Sequence, residues 1–394
     1  MCDAETEQSS KRRARGLTRT SVVISTHNYA DYLHASISSA LQQVGAAVDV
    51  VVVDDASTDG TEAVAAKFAN RVRYVRHERN SGQTTALSTG FALARGDIII
   101  FLDADDVLLG NAVSAVEDVF EVDPRLVGVG WPLLEMTADA ELTGCVVPPW
   151  SLEAGDLLAR VLSHGPDSFV RPPMSGNAWS RGFLEQVLPL PDPPGTDTWP
   201  GLSSPDALLT SLAPLFGRTA SIDRPLARYR VHGSNKYAAL DFERRLAKDI
   251  VTSRHRREVV RAAAQAAGHA VTAEWPESWA ERTDRAVRQL TSVAAPGSLL
   301  SFADGGTLGL PECVLARRFA PFLGRDGSYW GMPSAEDEAQ RGVEQARGDG
   351  CDYLVIAWPA FWLLDGFPLL RRTLADCSDL VLDTADVKAF RFRR

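Results

Sequence analysis

From residue 20 onward the apolar positions fall into two alternating kinds of run. "TSVVIST" (20–26) and "VDVVVVDDAS" (48–57) are short and β-branched, and "DIIIFLDADD" (97–106) is apolar from Ile98 to Leu102. Between them, "DYLHASISSALQQ" (31–43) brings Leu33, Ile37, Ala40 and Leu41 round at helical spacing, with Asp31 as the expected N-cap. "DGTEAVAAKFA", "GQTTALSTGFALARG" (stopped by Gly96) and "GNAVSAVEDVFEVDP" read as further helices, and "RVRYVRH" as a strand with alternating faces. Strands with no polar face, separated by helices, imply a parallel sheet covered on both sides. In such sheets ligands lie beyond the carboxyl ends of the strands. Thr26, His27 and Asn28, the pair Asp54–Asp55, and the run Asp103 to Asp106 all fall at those ends. The pattern therefore predicts that they converge on one edge.

Residues 140 to 235 read differently, rich in Pro, Gly and Trp, with short helical pieces in "SLEAGDLLARVL" and "SPDALLTSLAPLFG". They are expected to form a loop-rich cap over the open edge. "FERRLAKDIVTSRHRREVVRAAAQAAG" (242–268) places Phe242, Leu246 and Ile250 at i, i+4, i+8 and predicts a connecting helix. Alternation restarts near residue 297 with "GSLLSFAD", a helix in "SAEDEAQRGVEQARGDG", "DYLVIAWPAFWLL", and a hairpin in "DLVLDTADVKAFRFR". The expected organisation is a tail over 1–19, an α/β domain over 20–240 with halves at 20–130 and 131–240, a helical connector over 241–296, and a smaller α/β domain over 297–394.

Composition narrows the class. A net charge of -10 on 394 residues argues against a dedicated nucleic-acid binder. The one basic cluster, "KRRARGLTR" (11–19), reads as part of a solvated, disordered tail, with anionic-surface binding as the alternative. No apolar run reaches the ~18 residues of a membrane span, and the start of the chain does not resemble a secretory signal. Cys2, Cys145, Cys313, Cys351 and Cys377 form no C-x-x-C pair, which suits a reducing cytoplasm and no zinc or disulfide framework. The expected setting is cytoplasmic, with peripheral membrane attachment as an option and no transmembrane segment.

The acids at 103–106 raise a physical question. Asp103, Asp105 and Asp106 crowd the end of a buried strand, and their repulsion calls for a counter-charge. Oxygen ligands of this kind favour Mg²⁺ or Mn²⁺. Asp103 and Asp105 share one side of an extended chain, and the small Ala104 between them lets the backbone approach a ligand. The alternative is a solvated turn before the next helix. "VVVVDDASTDGT" (50–61) repeats the device: Asp55 is placed to accept from a pyrimidine N–H or a ribose hydroxyl, while Asp59 and Thr61 are expected to cap the following helix. His27 is placed to stack on a base, unless it packs or caps.

These three spaced motifs, with "NSGQTTALSTGFALARG" between the second and third, resemble the family 2 glycosyltransferases of GT-A fold, closely over 20 to about 125 and more loosely over 126–237. The resemblance implies a Rossmann-like, mostly parallel sheet flanked by helices, a nucleotide-diphospho-sugar donor, a divalent metal and transfer with inversion. Carried onto this sequence, it gives His27 the base-stacking position, Asp55 the base contact, and Asn80 and Gly82 the loop near the donor. Asp103 and Asp105 match the D-x-D pair, Asp105 as prime metal ligand and Asp103 nearer the ribose or sugar, with Asp106 expected to cap the next helix. On the acceptor side, Asp206 in "GLSSPDALLTSLAPLFG" matches the general base, although Pro205 stands where the family often carries a second acid. "PMSGNAWSRGFLEQVLP" resembles the pocket-shaping segment, with Ser175, Gly176 and Asn177 near the donor and Trp179 either a sugar platform or core. "LARYRVHGSNK" resembles the closing motif: His232 toward metal or diphosphate, Arg230 and Lys236 toward phosphate oxygens.

The expectation is a metal-dependent inverting glycosyltransferase acting on a hydroxyl or amine acceptor. Its rivals are a non-catalytic nucleotide-sugar- or carbohydrate-binding scaffold, kept open by the lone acid at 206, and a nucleotidyltransferase. The latter usually opens with a Gly-rich, Lys/Arg-bearing loop that "STHNYADYL" lacks. The C-terminal unit resembles a domain appended to some bacterial glycosyltransferases; its aromatic run from Trp358 to Phe367 reads as buried core or as a sugar or partner surface.

Overall fold

In the computed structural model, which describes residues 20–195, 202–235, 240–271, 274–304, 318–325, 328–329 and 333–393, successive residues of each central strand enter two different cores. The 1–19 tail and Lys236 lie outside the described residues. The chain divides into two compact units, Met1–Ala239 with Val251–Pro276, and Leu240–Ile250 with Glu277–Arg394. The long helix that was expected to connect them contributes residues to both.

The first unit opens with β1 (Thr20–Thr26), α1 (Ala30–Leu41), β2 (Val48–Asp54), α2 (Thr61–Ala66), β3 (Arg73–Arg76), α3 (Gln83–Leu93), β4 (Ile98–Asp103), β5 (Val107–Leu108) and α4 (Ala112–Val122). It continues with β6 (Gly128–Gly130), β7 (Leu133–Met136), β8 (Leu142–Val147), α5 (Leu158–His164), β9 (Asn177–Ser180), α6 (Arg181–Val187), α7 (Pro205–Phe216), β10 (Thr219–Ser221), β11 (Ala227–Arg230) and α8 (Phe242–Ala266). The main sheet has seven strands in the order β10-β6-β9-β4-β1-β2-β3. Strands β1 to β4 run parallel, and β9 is antiparallel to both β4 and β6. Val22, Ile24, Val50, Val52, Ile98 and Ile100 join the core under α1 and α4, while Val23, Val51, Val53, Ile99 and Phe101 join the core under α3, α6 and α7. Both faces are covered, which is why these strands carry no polar alternation. A four-stranded sheet, β5-β11-β7-β8, stands beside the carboxyl edge.

Three local expectations change. Residues 151–157 are not helical: Gly155 takes φ 101° and pairs across to Thr219 instead. Asp31 sits in the first turn of α1 rather than capping it. The cap on Ala30 N–H comes from Asp59, whose other oxygen accepts the N–H and hydroxyl of Thr61 at the start of α2. One carboxylate thus serves two helix starts. Burial would raise its pKa, and these hydrogen bonds outweigh that and lower it.

The second unit contains α9 (Trp279–Val293), β12 (Leu299–Ala303), β13 (Arg318–Pro321), β14 (Gly324–Arg325), β15 (Ser328–Tyr329), α10 (Glu336–Gly348), β16 (Tyr353–Ala357), α11 (Trp362–Gly366), α12 (Pro368–Cys377), β17 (Ser378–Asp383) and β18 (Val387–Phe392). Its sheet runs β13-β12-β16-β18-β17, closed by the antiparallel pair expected at the chain's end. The run "DYLVIAWPAFWLL" is strand only to Ala357, because Pro359 has no N–H for a ladder and starts a short 3₁₀ turn. Asp386 is buried and held by Arg285 and Arg282, and the Arg285 hydrogen bond leads in lowering its pKa. Among the described residues no helix is long and apolar enough to cross a membrane.

Close approach of α3 to the sheet depends on Gly90. A Cβ there would stand 2.2 Å from Val23 Cγ1 and 3.2 Å from Val53 Cγ2. Overpacking of this kind costs ~1–3 kcal/mol, partly offset by the better helix propensity of alanine, ~1 kcal/mol. Gly90→Ala is expected to lower the urea midpoint of unfolding at unchanged m-value, and Val23→Ala in the same chain to recover part of the loss. An unchanged midpoint for the single variant would show that the helix can move away freely.

Candidate active site

Register alone brings the strand ends together. Thr26 pairs with Asp54 across β1 and β2, and Ser25 pairs with Asp103 across β1 and β4. The edge predicted from the sequence pattern is therefore present. It divides into a hydrogen-bonded cradle on the β1–β2 side and an acidic cluster beyond β4.

In the cradle, Asn28 adopts φ 61°, and its side-chain Oδ1 accepts the Thr58 N–H at 2.7 Å while its main-chain N–H donates to Ser57 Oγ. His27 is partly buried; its Nδ1–H donates to the Asp55 carbonyl at 2.7 Å and its Nε2 accepts from Asn28. Asp54 and Asp55 are both buried. Asp54 accepts from Ser57 N–H and the Tyr74 hydroxyl. Asp55 accepts from the His77 ring at 2.8 Å, from Ser81 N–H at 2.8 Å and from Gly82 N–H at 2.7 Å. Expected as a nucleotide contact, its carboxylate in this structure ties down the turn carrying Asn80 and Gly82. Gly82 takes φ 87° to start α3, and Asn80 Oδ1 also accepts its N–H. Thr26 is buried, with a hydroxyl that has no partner.

At the acidic cluster, Asp103 receives Gln83 Nε2 at 2.9 Å, and its N–H donates to Ser175 Oγ at 3.1 Å. Asp105 Oδ2 accepts from His232 Nε2–H at 3.1 Å and from Asn235 Nδ2 at 3.2 Å. His232 Nδ1 accepts from Ser234, which fixes this tautomer and makes His232 a donor to Asp105 here. Its ring lies 4.5 Å from that of Tyr32, tilted by 35°. Asp106 does not cap the next helix. It is 1% exposed; one oxygen accepts Arg230 N–H at 2.9 Å and the other has no hydrogen-bond partner. Burial first, then the charges of Asp105 and Asp103, push its pKa well above the usual carboxylate range. The same cluster reaches two phenols: Tyr29 and Tyr229 are raised by burial first and then by these carboxylates.

Arg230 is not available for phosphate. Its guanidinium is buried and donates to the carbonyls of Asp105, Thr137 and Ala138, while lying 5.0 Å from the Tyr32 ring. Of the segment 175–177, only Ser175 touches the acids. Gly176 is packed so tightly that a Cβ would meet Pro172 and the Trp131 carbonyl at 2.7 Å, and Asn177 donates to the Pro173 carbonyl. Trp179 is 2% exposed and packs against Phe183, so it is core and not a sugar platform.

Asp206 occupies the first turn of α7, partly buried. Its charge acts on Tyr229, which also feels Asp106, Asp103 and Asp105, and this places it toward the acidic edge. It also acts on half-buried Arg171, whose pKa is pushed down to about 10 by desolvation and by Arg256, against the opposing pull of Asp167 and Asp206. Sequence reasoning missed Gln83, Asn235, Arg171 and the tyrosines. Only Asn235 left a signal, three residues after His232 in a Gly-Ser turn, where its Oδ1 accepts His232 N–H. Among the described residues no three His, Cys, Asp or Glu side chains stand gathered as a metal site. The donors present, with an unpartnered Asp106 oxygen behind them, suit a hard divalent cation that draws further ligands from a bound substrate.

A family model described as "Glycosyl transferase family 2" matches residues 21–136. An uncharacterized glycosyltransferase of Nostoc is 31% identical over 223 residues, 56% of this chain and 66% of its own length. The succinoglycan biosynthesis protein ExoO of Rhizobium meliloti is 44% identical over 87 residues, 22% of this chain and 25% of its own. The chain thus spans less than two thirds of these relatives. Among solved structures, a mannosyltransferase from Pyrobaculum calidifontis in complex with GDP-Man and Mn²⁺ is 17% identical with a TM-score of 0.45, over 74% of this chain and 85% of that one.

The Asp55 contacts carry a testable consequence. Asp55→Ala takes the carboxylate away from the half-buried Ser81 and Gly82 N–H groups; Gly82 keeps Asn80 Oδ1 as an acceptor, and a donor left without one costs ~1–3 kcal/mol. Amide exchange at Ser81 is expected to accelerate at least tenfold relative to the strand amides of β1. Protection equal to the parent chain would mean that other acceptors hold the turn.

Proposed function

We propose that this chain, which carries a glycosyl transferase family 2 domain at residues 21–136, moves a sugar from a nucleoside-diphospho-sugar onto a hydroxyl or amine acceptor with inversion, aided by a divalent cation, Mn²⁺ or Mg²⁺. The observation that carries this reading is that three adjacent parallel strands end together, Thr26 opposite Asp54 and Ser25 opposite Asp103, with the start of α3 tied to the same edge through Asp55.

On this reading His27 and the Asn28–Thr58 cradle receive the base and ribose, and the turn from Asn80 to Gly82 borders the donor at the positive end of α3. Asp103, braced by Gln83 and Ser175, meets the ribose or the sugar. Asp105 would hold the cation, joined by His232 once its Nε2 gives up the proton it now donates to Asp105, and Asn235 keeps Asp105 in place. When bound, the cation neutralises charge gathering on the departing nucleoside diphosphate. Asp206 accepts the proton of the acceptor hydroxyl as its oxygen bonds to the anomeric carbon, and the bond to the diphosphate breaks on the opposite face. Arg171 lies close enough to Asp206 for their charges to attract.

Hydrolysis and transfer from a panel of UDP-, GDP- and dTDP-sugars, followed with Mn²⁺, Mg²⁺ or EDTA, test the proposal. One donor is expected to turn over in a metal-dependent way, with loss of Mn²⁺ binding in Asp105→Ala. Asp206→Asn is expected to lower kcat by roughly 10²–10⁴-fold, the range for a positioned general base, at unchanged donor affinity. Turnover undiminished by EDTA would remove the cation from the mechanism, and full activity in Asp206→Asn would remove it as base.

A further inference from the structure

The two residues proposed to meet the cation, Asp105 and His232, are 127 positions apart in the chain, so their spacing has to be set by something that both touch. Helix α1 is that body. Its start is fixed by Asp59. Along its length Ser36 Oγ donates to the Asp103 carbonyl at 3.3 Å, and Ser39 Oγ accepts the Leu108 N–H at 3.1 Å. The main chain is thus pinned to α1 on either side of Asp105.

The same helix reaches the turn after β11 through two tyrosines. Tyr29, at the N-cap position, stands nearly perpendicular to the His232 ring with 5.8 Å between centroids, and its hydroxyl donates to the Ser234 carbonyl at 3.4 Å. Tyr32, half-buried in the first turn, has its ring 4.5 Å from the His232 ring and 5.0 Å from the Arg230 guanidinium. Arg230 Nε in turn donates to the Asp105 carbonyl at 2.8 Å. One ring therefore touches His232 itself and the side chain that holds the main chain of Asp105.

Binding a cation asks something particular of His232. Its Nε2 now donates to Asp105, and that bond has to be given up before the nitrogen can face a metal. Contact between the two rings does not depend on what Nε2 is bonded to. An aromatic face also attracts a guanidinium, which an aliphatic side chain does not. We infer that Tyr32 is a positioning residue for the cation site: its ring orients His232 directly and Asp105 through Arg230. The role rests on the glycosyl-transfer reading and its cation; the contacts themselves do not. Removing a group that orients a metal ligand typically costs about 10–100-fold in metal affinity, so this ring is expected to count in cation binding without touching the cation.

The test follows the histidine ring ¹H–¹³C signals of the full chain, without sugar nucleotide, while Mn²⁺ alone is added. The chain has seven histidines, and His232→Gln assigns the signal in question. Before metal, the His232 ring protons are expected to lie upfield, within the ring current of Tyr32, and to move downfield in Tyr32→Leu but not in Tyr32→Phe. The unpaired electrons of Mn²⁺ broaden nearby signals. Half-broadening in Tyr32→Leu is expected to need at least roughly tenfold more metal than in the parent chain, and Tyr32→Phe to match the parent. Should Tyr32→Leu fail to fold, Tyr32→Met, an adaptable apolar side chain, takes its place. Broadening of the apolar variant at the parent's Mn²⁺ concentration, or a Tyr32→Phe as weak as that variant, would overturn the inference while the proposed cation stands. A parent signal that Mn²⁺ leaves sharp, with its upfield position intact, would instead sink the proposed cation, and the role of Tyr32 with it, and leave only the contact between the rings.

Discussion

Three carboxylates have to share the space beyond a strand whose preceding residues are buried on both faces, and the surrounding structure is organised to permit it. Two like charges ~4 Å apart repel by ~4 kcal/mol at an effective dielectric of about 20, too much to leave unanswered in a domain of ordinary stability. The answers come from distant parts of the chain. Gln83 reaches Asp103 from α3, His232 and Asn235 reach Asp105 from the turn after β11, and the main chain of Arg230 reaches Asp106. Asp106 responds by holding its proton more tightly. Each of these partners offsets part of the charge. None supplies the two full positive charges that would balance Asp103 and Asp105 when both are ionised, and that imbalance is what a divalent ion would relieve.

The same logic explains what Arg230 does. A free arginine at this edge would be the obvious phosphate ligand, but the Arg230 guanidinium lies over the Tyr32 ring and spends its donors on three main-chain carbonyls. It fixes the path of the loop that carries Asp105 relative to the turn after β7. The positive character left for a ligand is therefore borne by the start of α3.

The strands, their parallel order and the converging edge were legible because burial on both faces leaves a plain signature: Val50 to Val53 and Ile98 to Leu102 have no polar alternation, and their acids come only at the ends. The helices of the first half were legible for the complementary reason. What could not be read was where a given acid would send its hydrogen bonds. Asp54, Asp55 and Asp59 look alike in "VVDDASTDG", yet one braces a turn within β2's exit, one holds the Ser81–Gly82 amides, and one joins two helix starts. Their partners lie as far as 29 residues away in the chain, outside any local window. The same holds for Asp106, whose burial depends on a strand that follows much later. Arg171 was invisible for the same reason, since the Arg256 and Asp206 charges that act on it lie outside any local window.

The pairing of Asp106 with Arg230 spans 124 residues. During synthesis at ~5–20 residues per second, that separation is a wait of roughly 6–25 seconds between the emergence of the acids and the emergence of the strand that covers them. Through that interval Asp103, Asp105 and Asp106 face water, where high dielectric and mobile ions mute their repulsion. The nascent sheet can therefore consolidate around β1, β2 and β4 with its charged rim still wet. Desolvation of Asp106 is deferred until β11 docks. Assembly of the acidic edge is in this sense a late event by construction.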